Sequence, residues 1–311
     1  MNLSYDTENG TIYYKVLDGN VSITGYSGED EELKLPMNID GLLVRRIEKK
    51  AFMGSRKLRI LNLPDSIKDV GDWAFAYCRY LEEVTFPRRH MKSGIKPFLG
   101  DLRLGHIYLR ERKQYPDLAW RNKSEEDKEM VSVLLAHSVN LEEADYLFDT
   151  KHAGNPDWTS KLDARIRVLM EEPDEEGHTD MILCGEEDID CTIDNFIKEK
   201  RKKKVRTAFL RLLNPYGLED DMRMMLTDYL ISHSVGCASE ETWIVLRDEK
   251  GFDRKYYELY VDIGCLCHDN YQATIQDIGS GNPEMKAFFI RWNDSEAASP
   301  EDGSYFDKFD L

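Results

Sequence analysis

From Val44 to Leu109 the apolar positions of the chain return at a fixed interval. Ile47, Ala51-Phe52, Leu58, Leu61 and Leu63-Pro64 are followed 23 residues later by Val70, Ala74-Phe75, Leu81, Val84 and Phe86-Pro87. A third, worn copy sets Gly94 under Gly71, Phe98 under Phe75, Leu104 under Leu81, Ile107 under Val84 and Leu109 under Phe86. Self-similarity at so short a period predicts a solenoid, in which stacked coils bury one continuous apolar interior. Phe52, Phe75 and Phe98 should line up inside it. In Ile60-Leu61-Asn62-Leu63 and Glu83-Val84-Thr85-Phe86 the alternation has period two, so Leu61, Leu63, Val84 and Phe86 point inward. Ile60, Asn62, Glu83, Thr85, His106 and Tyr108 then face outward as neighbours across parallel strands, and any strand-face binding falls to them.

Ahead of the repeats, Thr11–Leu17 and Val21–Tyr26 are rich in β-formers and flank Asp18-Gly19, a pair suited to the positive φ angles of a tight hairpin turn. A solenoid end needs covering, so this hairpin is expected to be the N-terminal cap. Glu32-Leu33-Lys34-Leu35-Pro36 reads as a leading strand matching the one that ends at Pro64, with an inserted loop near Asn38-Ile39-Asp40-Gly41. Pro64 and Pro87 close their strands, because proline donates nothing to a ladder. Cys78 stands where Ser55 stands one repeat earlier, and a small buried turn residue is the reading that needs least.

The run Val70-Gly71-Asp72-Trp73-Ala74-Phe75-Ala76-Tyr77-Cys78-Arg79-Tyr80-Leu81-Glu82-Glu83-Val84-Thr85-Phe86-Pro87 resembles the repeat of the bacterial leucine-rich-repeat family of the surface-antigen (BspA-like) type, I-G-x-x-A-F-x-x-C-x-x-L-x-x-V-x-L-P. The likeness covers residues 10–110 or so. It implies a curved right-handed solenoid and protein–protein recognition, and it carries no catalytic residues across. Many members of that family are secreted.

From Ser124 the apolar period becomes helical. Ser124 caps a first turn rich in acids, and Met130, Val133, Leu134 and Leu135 follow. Asn140 with Glu143 reads as a second cap, predicting a helix through Ala144, Tyr146, Leu147 and Phe148. Helix pairs are also predicted over 205–213 and 218–231, and over 273–278 and 284–292. The last pair, with its Gly279-Ser280-Gly281 turn, resembles an ankyrin helix pair, although the usual Thr-Pro-Leu-His start is missing. The expected architecture is therefore α+β: a short leucine-rich-repeat solenoid with an N-terminal β-hairpin cap, then an all-α, ankyrin-like helical-pair domain. The expected limits are 1–118, 119–293 and a mobile acidic tail at 294–311, with Tyr115-Pro116-Asp117 as the linker.

Charge supports that division. Residues 1–120 carry 19 Lys and Arg against 17 Asp and Glu, and the remainder carries 23 against 42. So acidic a C-terminal part repels a phosphate backbone. The basic run Lys198–Arg206 is the exception; it reads as the solvated side of a helix offset by acids such as Asp188, Asp190 and Asp194, with a nucleic-acid patch as the alternative. Six cysteines in 311 residues are too sparse for a disulfide scaffold and fit reduced thiols. Cys265-Leu266-Cys267-His268 lacks a second ligand pair for zinc, though Cys237 and His233 could approach it; two partly buried cysteines on a helix is the plainer reading. No nucleotide, metal-protease or nucleophile-elbow signature is present, so no catalytic residue, metal or cofactor is expected. Residues 1–6 have neither the basic start nor the apolar core of a leader, and no run reaches the ~20 apolar residues of a membrane helix. The expectation is a cytoplasmic protein-interaction module, or a secreted one if a leader has been removed. An enzyme or metal site in the helical part is the competing class.

Overall fold

A computed structural model describes residues 3–112, 117–178 and 192–298, with side chains to 295. It forms two compact units, one made of 1–170 with 214–218, the other of 171–213 with 219–311.

The first unit begins with three antiparallel strands, β1 (Leu3–Asp6), β2 (Gly10–Leu17) and β3 (Asn20–Gly28). Asp18 and Gly19 both have positive φ, 50° and 69°, so the turn between β2 and β3 is of the primed kind that matches strand twist. Ile12, Tyr14, Val21 and Ile23 turn inward and are buried. Four coils then stack. One sheet runs β3, β6 (Leu42–Ile47), β8 (Asp69–Val70), β10 (Lys92–Ser93); the other runs β4 (Glu32–Lys34), β7 (Ile60–Asn62), β9 (Glu83–Pro87), β11 (His106–Arg110). All neighbours within these two series are parallel. The insertion near Asn38 is more ordered than an open loop. β5 (Asn38–Ile39) pairs antiparallel with β6 across Asp40 and Gly41, whose φ values of 50° and 79° make a second tight turn.

The turns between the sheets are bonded from coil to coil as well: Phe52 N–H donates to Ala74 O at 2.8 Å, and Phe75 N–H to Pro97 O at 2.9 Å. Inside, Tyr26, Phe52, Phe75 and Phe98 stack with ring centroids 5.5, 5.6 and 5.1 Å apart. Each such contact adds about 0.5–1.5 kcal/mol beyond area burial. The repeated glycine is where backbones nearly touch. A Cβ on Gly71 would stand 2.5 Å from Lys49 N, and one on Gly94 would stand 2.3 Å from Asp72 N.

Helices close the far end. α1 (Leu118–Arg121) precedes α2 (Glu125–Ser138), whose cap is Ser124 as predicted, its hydroxyl accepting from Asp127 N–H at 3.0 Å. α2 buries Val131, Leu134 and Leu135 and packs on β11. The helix predicted from the Asn140 cap does not form. Glu143 has φ 50°, and only a single 3-10 turn covers Asp145–Leu147. The reason is tertiary. Phe148 sits edge-on against Phe98 and Phe86, 5.5 and 5.3 Å between centroids, and the segment is bent to bring it there. α3 (Pro156–Glu171) follows, and Trp158 donates to Leu147 O at 2.8 Å.

The second unit is helical: α4 (Ile193–Leu213), α5 (Asp220–Ser232), α6 (Glu241–Val245), which continues as a π turn to Lys250, α7 (Arg254–Asp262), α8 (His268–Ile278) and α9 (Pro283–Ala298). The predicted pairs are present as α4 with α5 and α8 with α9. α9 runs on to Ala298, past the expected tail start at 294. Residues 115–116, the greater part of the expected linker, and 299–311, most of the expected tail, lie outside the described residues.

Candidate functional site

Three strands bring the six outward positions together. Ile60 pairs with Glu83 and Glu83 with His106; Asn62 pairs with Thr85 and Thr85 with Tyr108. The result is two rows crossing the sheet at the usual strand separation of about 4.8 Å. All six are half-buried. The same register extends each row onto β4, where Glu32 faces Ile60 and Lys34 faces Asn62, both exposed. Those two were within reach of the sequence. Pro36 and Pro64 set the offset of the leading strand, and carrying it two and four residues upstream gives Lys34 and Glu32.

The two ends of this face differ. At β11 the His106 and Tyr108 rings stack, 5.3 Å apart and 5° from parallel. Glu129 of α2 lies against both: its Oε1 is 3.0 Å from His106 Nε2 and accepts from the Tyr108 hydroxyl at 3.4 Å. Burial, then the charges of Glu129 and Glu83, push the Tyr108 phenol up to about 12. Sequence could not announce Glu129, which arrives from a separate element. At β4 the sheet simply stops.

Arg88 has a structural task. Its side chain is buried; Nε pairs with Asp117 at 3.0 Å, a terminal N–H donates to Ala153 O at 2.9 Å, and the guanidinium lies 4.4 Å from the Trp120 ring centroid. Cys78 is the buried turn residue expected, its thiol donating to Phe52 O at 3.1 Å. Burial and the neighbouring Asp101 push that thiol up to about 12. Asp101 is fully buried, accepts from Cys78 N–H at 2.7 Å through one oxygen, and has no partner for the other. Burial pushes its carboxyl up to about 8.

In the helical unit the basic run lies along α4, and much of it is spent internally. Lys204 is buried and donates to Asp174 at 2.8 Å and to Glu172 O at 2.6 Å. Arg201 bonds Asp174 at 2.7 Å, Lys200 pairs with Glu172 at 3.2 Å, and Arg206 with Glu249 at 2.6 Å. Burial of Asp174 works against its charge, but the Lys204 and Arg201 donors outweigh it and hold the carboxyl below its usual range. The offsetting acids are thus Glu172, Asp174 and Glu249; Asp188 and Asp190 lie outside the described residues, as do Cys184 and Cys191. Lysines four apart share a helix face, which is why Lys200 and Lys204 reach the same acidic turn. Cys265 and Cys267 are not on a helix. Cys265 is buried ahead of α8, and exposed Cys267 takes its N-cap position, with its N–H donating to Asn270 Oδ1 at 3.0 Å. Among the described residues no three His, Cys, Asp or Glu group so as to hold a metal ion, and no helix is long and apolar enough to cross a membrane.

Four parallel coils, two sheets, an aromatic stack and a cap at each end define a short β-solenoid with helical closure. Residues 31–119 match the family model described as BspA type Leucine rich repeat region, in six copies, so this stretch of the chain is a BspA-type leucine-rich repeat. Two solved structures are similar to it. A leucine-rich repeat protein of T. pallidum is 24% identical over 35% of this chain and 65% of that one, with a TM-score of 0.26. A leucine-rich repeat protein from Bacteroides capillosus is 18% identical over 34% of this chain and 98% of that one, also with a TM-score of 0.26. The chain spans less than two thirds of the T. pallidum protein. No curated protein matches it.

Proposed function

We propose that the chain is a non-catalytic protein-interaction module and that its partner docks on the strand face of Ile60, Asn62, Glu83, Thr85, His106 and Tyr108, extended by Glu32 and Lys34. The observation that carries this reading is the register, which turns residues scattered over the sequence into two contiguous rows of mixed chemistry. An alkyl group, carboxylates, an amide, a hydroxyl, an ammonium, an imidazole and a phenol stand on adjoining positions of one sheet face. Such a set reads a polar peptide surface through paired donors and acceptors rather than through apolar area. A face of four short strands gives a modest interface, near the small end of stable complexes. The test replaces Asn62, Glu83 and Tyr108 together by alanine and repeats capture of partners from source-cell lysate, with circular dichroism to show an unchanged fold. Loss of the captured protein is expected. Undiminished recovery would remove this face from consideration.

A further inference from the structure

The open end of the four-stranded sheet has chemistry of its own. β4 bonds β7 on one side only: Glu31 O accepts from Arg59 and Ile60 N–H at 2.8 and 3.0 Å, and Leu35 N–H donates to Asn62 O at 3.0 Å. Strand geometry then turns the N–H and C=O of Glu32 and Lys34 the opposite way. Among the described residues nothing bonds them there. Beside this edge lies a groove of about 430 Å³, walled by the Tyr5–Glu8 segment and by Asp30 and β4. It adjoins a hollow of about 610 Å³ lined by Glu8, Asn9, Glu29, Asp30, Glu31 and Glu32. Glu8, Glu29, Glu31 and Glu32 are exposed, and none forms an ion pair among the described residues. The wall is rigid rather than a loose turn. Asp30 is buried and accepts from Asn9 N–H at 2.8 Å, from the Thr7 hydroxyl and from the Tyr26 hydroxyl at 2.8 Å, which pins residues 7–9 to the start of β4.

We propose that the β4 edge receives an extended basic peptide segment as an added strand, its backbone pairing with Glu32 and Lys34 and its lysine or arginine side chains meeting Glu8, Glu29 and Glu31. Two independent features converge on that occupant. Unpaired backbone groups on a strand edge are satisfied by another strand, and the unpaired carboxylates alongside select positive charge. An acidic or apolar strand would meet repulsion or desolvated acids instead. So short an edge makes few backbone bonds, so the charged contacts set the affinity and salt weakens it. The inference shares Glu32 and Lys34 with the strand-face reading but uses their backbone edge rather than their side chains, and it survives or fails by its own test.

The experiment uses the full chain and fluorescence anisotropy with a short labelled peptide alternating lysine with valine. Its companions are the same peptide N-methylated at alternate amides and a glutamate–valine counterpart. Binding of the lysine peptide alone is expected, lost on N-methylation and reduced about tenfold in Glu8→Gln/Glu29→Gln/Glu31→Gln, since exposed ion pairs are individually weak. Lys34→Pro, tolerated because its N–H faces outward, should abolish binding with the fold intact by circular dichroism. Asn62→Ala/Glu83→Ala should bind the peptide unchanged, which separates this site from the face. Three results overturn the proposal: no binding of the lysine peptide, equal binding of the N-methylated one, or undiminished binding by the triple variant. The last, together with self-association in sedimentation velocity, would make the acids guards against edge-to-edge aggregation.

Discussion

Along the ring stack of the solenoid the interior is Tyr26, Phe52, Phe75 and Phe98, with the buried carboxyls Asp30 and Asp101 beside its first and last rings; in the helical unit Lys204, Arg211 and Glu241 are themselves buried. The difference follows from where the backbone finds its partners. Each coil bonds the next along two sheets and a turn, so coil-to-coil geometry is fixed by main chain and the side chains are free to be apolar. A helix satisfies its backbone within itself, and the relation of one helix to another is left to side chains. In α4 that task falls to ion pairs, which cost more to desolvate and tolerate less loss. Repetition thus lets the middle of the ring column stay apolar, and the buried charged groups of this unit, Asp30, Arg88 and Asp101, stand outside it.

Six substitutions break or sharpen this contrast. The largest loss is expected from Phe75→Ala, which empties the middle of the stack; urea unfolding should show about 3–5 kcal/mol less stability, and Gly71→Ala should be comparably harmful because its Cβ meets backbone. Lys204→Met should cost about 2 kcal/mol by leaving the half-buried Asp174 to Arg201 alone, and adding Asp174→Leu should recover most of it. If the double variant is as unstable as the single one, the ion pair is not what holds that helix. Asp101 gives a pH signature. Its folded value of about 8 lies above the ordinary value of 3.8, so the folded state holds the proton more tightly. Its contribution is fully present below about pH 4 and is lost as pH rises towards 8. Asp101→Asn should flatten that decline and gain on the order of 2 kcal/mol at pH 8 in denaturant titrations. Smallest is Glu129→Gln, below about 1 kcal/mol in stability. It should be visible instead in a spectrophotometric titration, where the Tyr108 phenol moves down from about 12.

What was legible in the sequence was what repeats. Phe52, Phe75 and Phe98 announced the stack because the same residue recurs at the same interval, and Asp18-Gly19 announced its turn because few pairs accept positive φ twice. The six face residues followed from period two once the strands were placed. Features that depend on a single long-range contact were silent. Asn140 and Glu143 have the spacing of a capping box, yet Phe148 is needed at the end of the solenoid and local preference yields. Arg88 holds Asp117 and Ala153 from a distance no local pattern encodes. The acids seen to meet the basic run, Glu172 and Asp174, stand some thirty residues away in sequence, where no local pattern points to them.

The stacked turns also make the length of this rod a stepwise quantity. Phe52 N–H meets Ala74 O, and 23 residues later Phe75 N–H meets Pro97 O, so floor and ceiling of each storey are interchangeable. Phe148 touches only the last two, through Phe86 and Phe98. Duplicating residues 65–87 would therefore add one storey without disturbing roof or foundation, while any insertion out of phase with the interval would turn wet side chains into the shaft. Such a chain can grow its exposed wall by gene duplication in whole units, and selection can then write new chemistry on each added row.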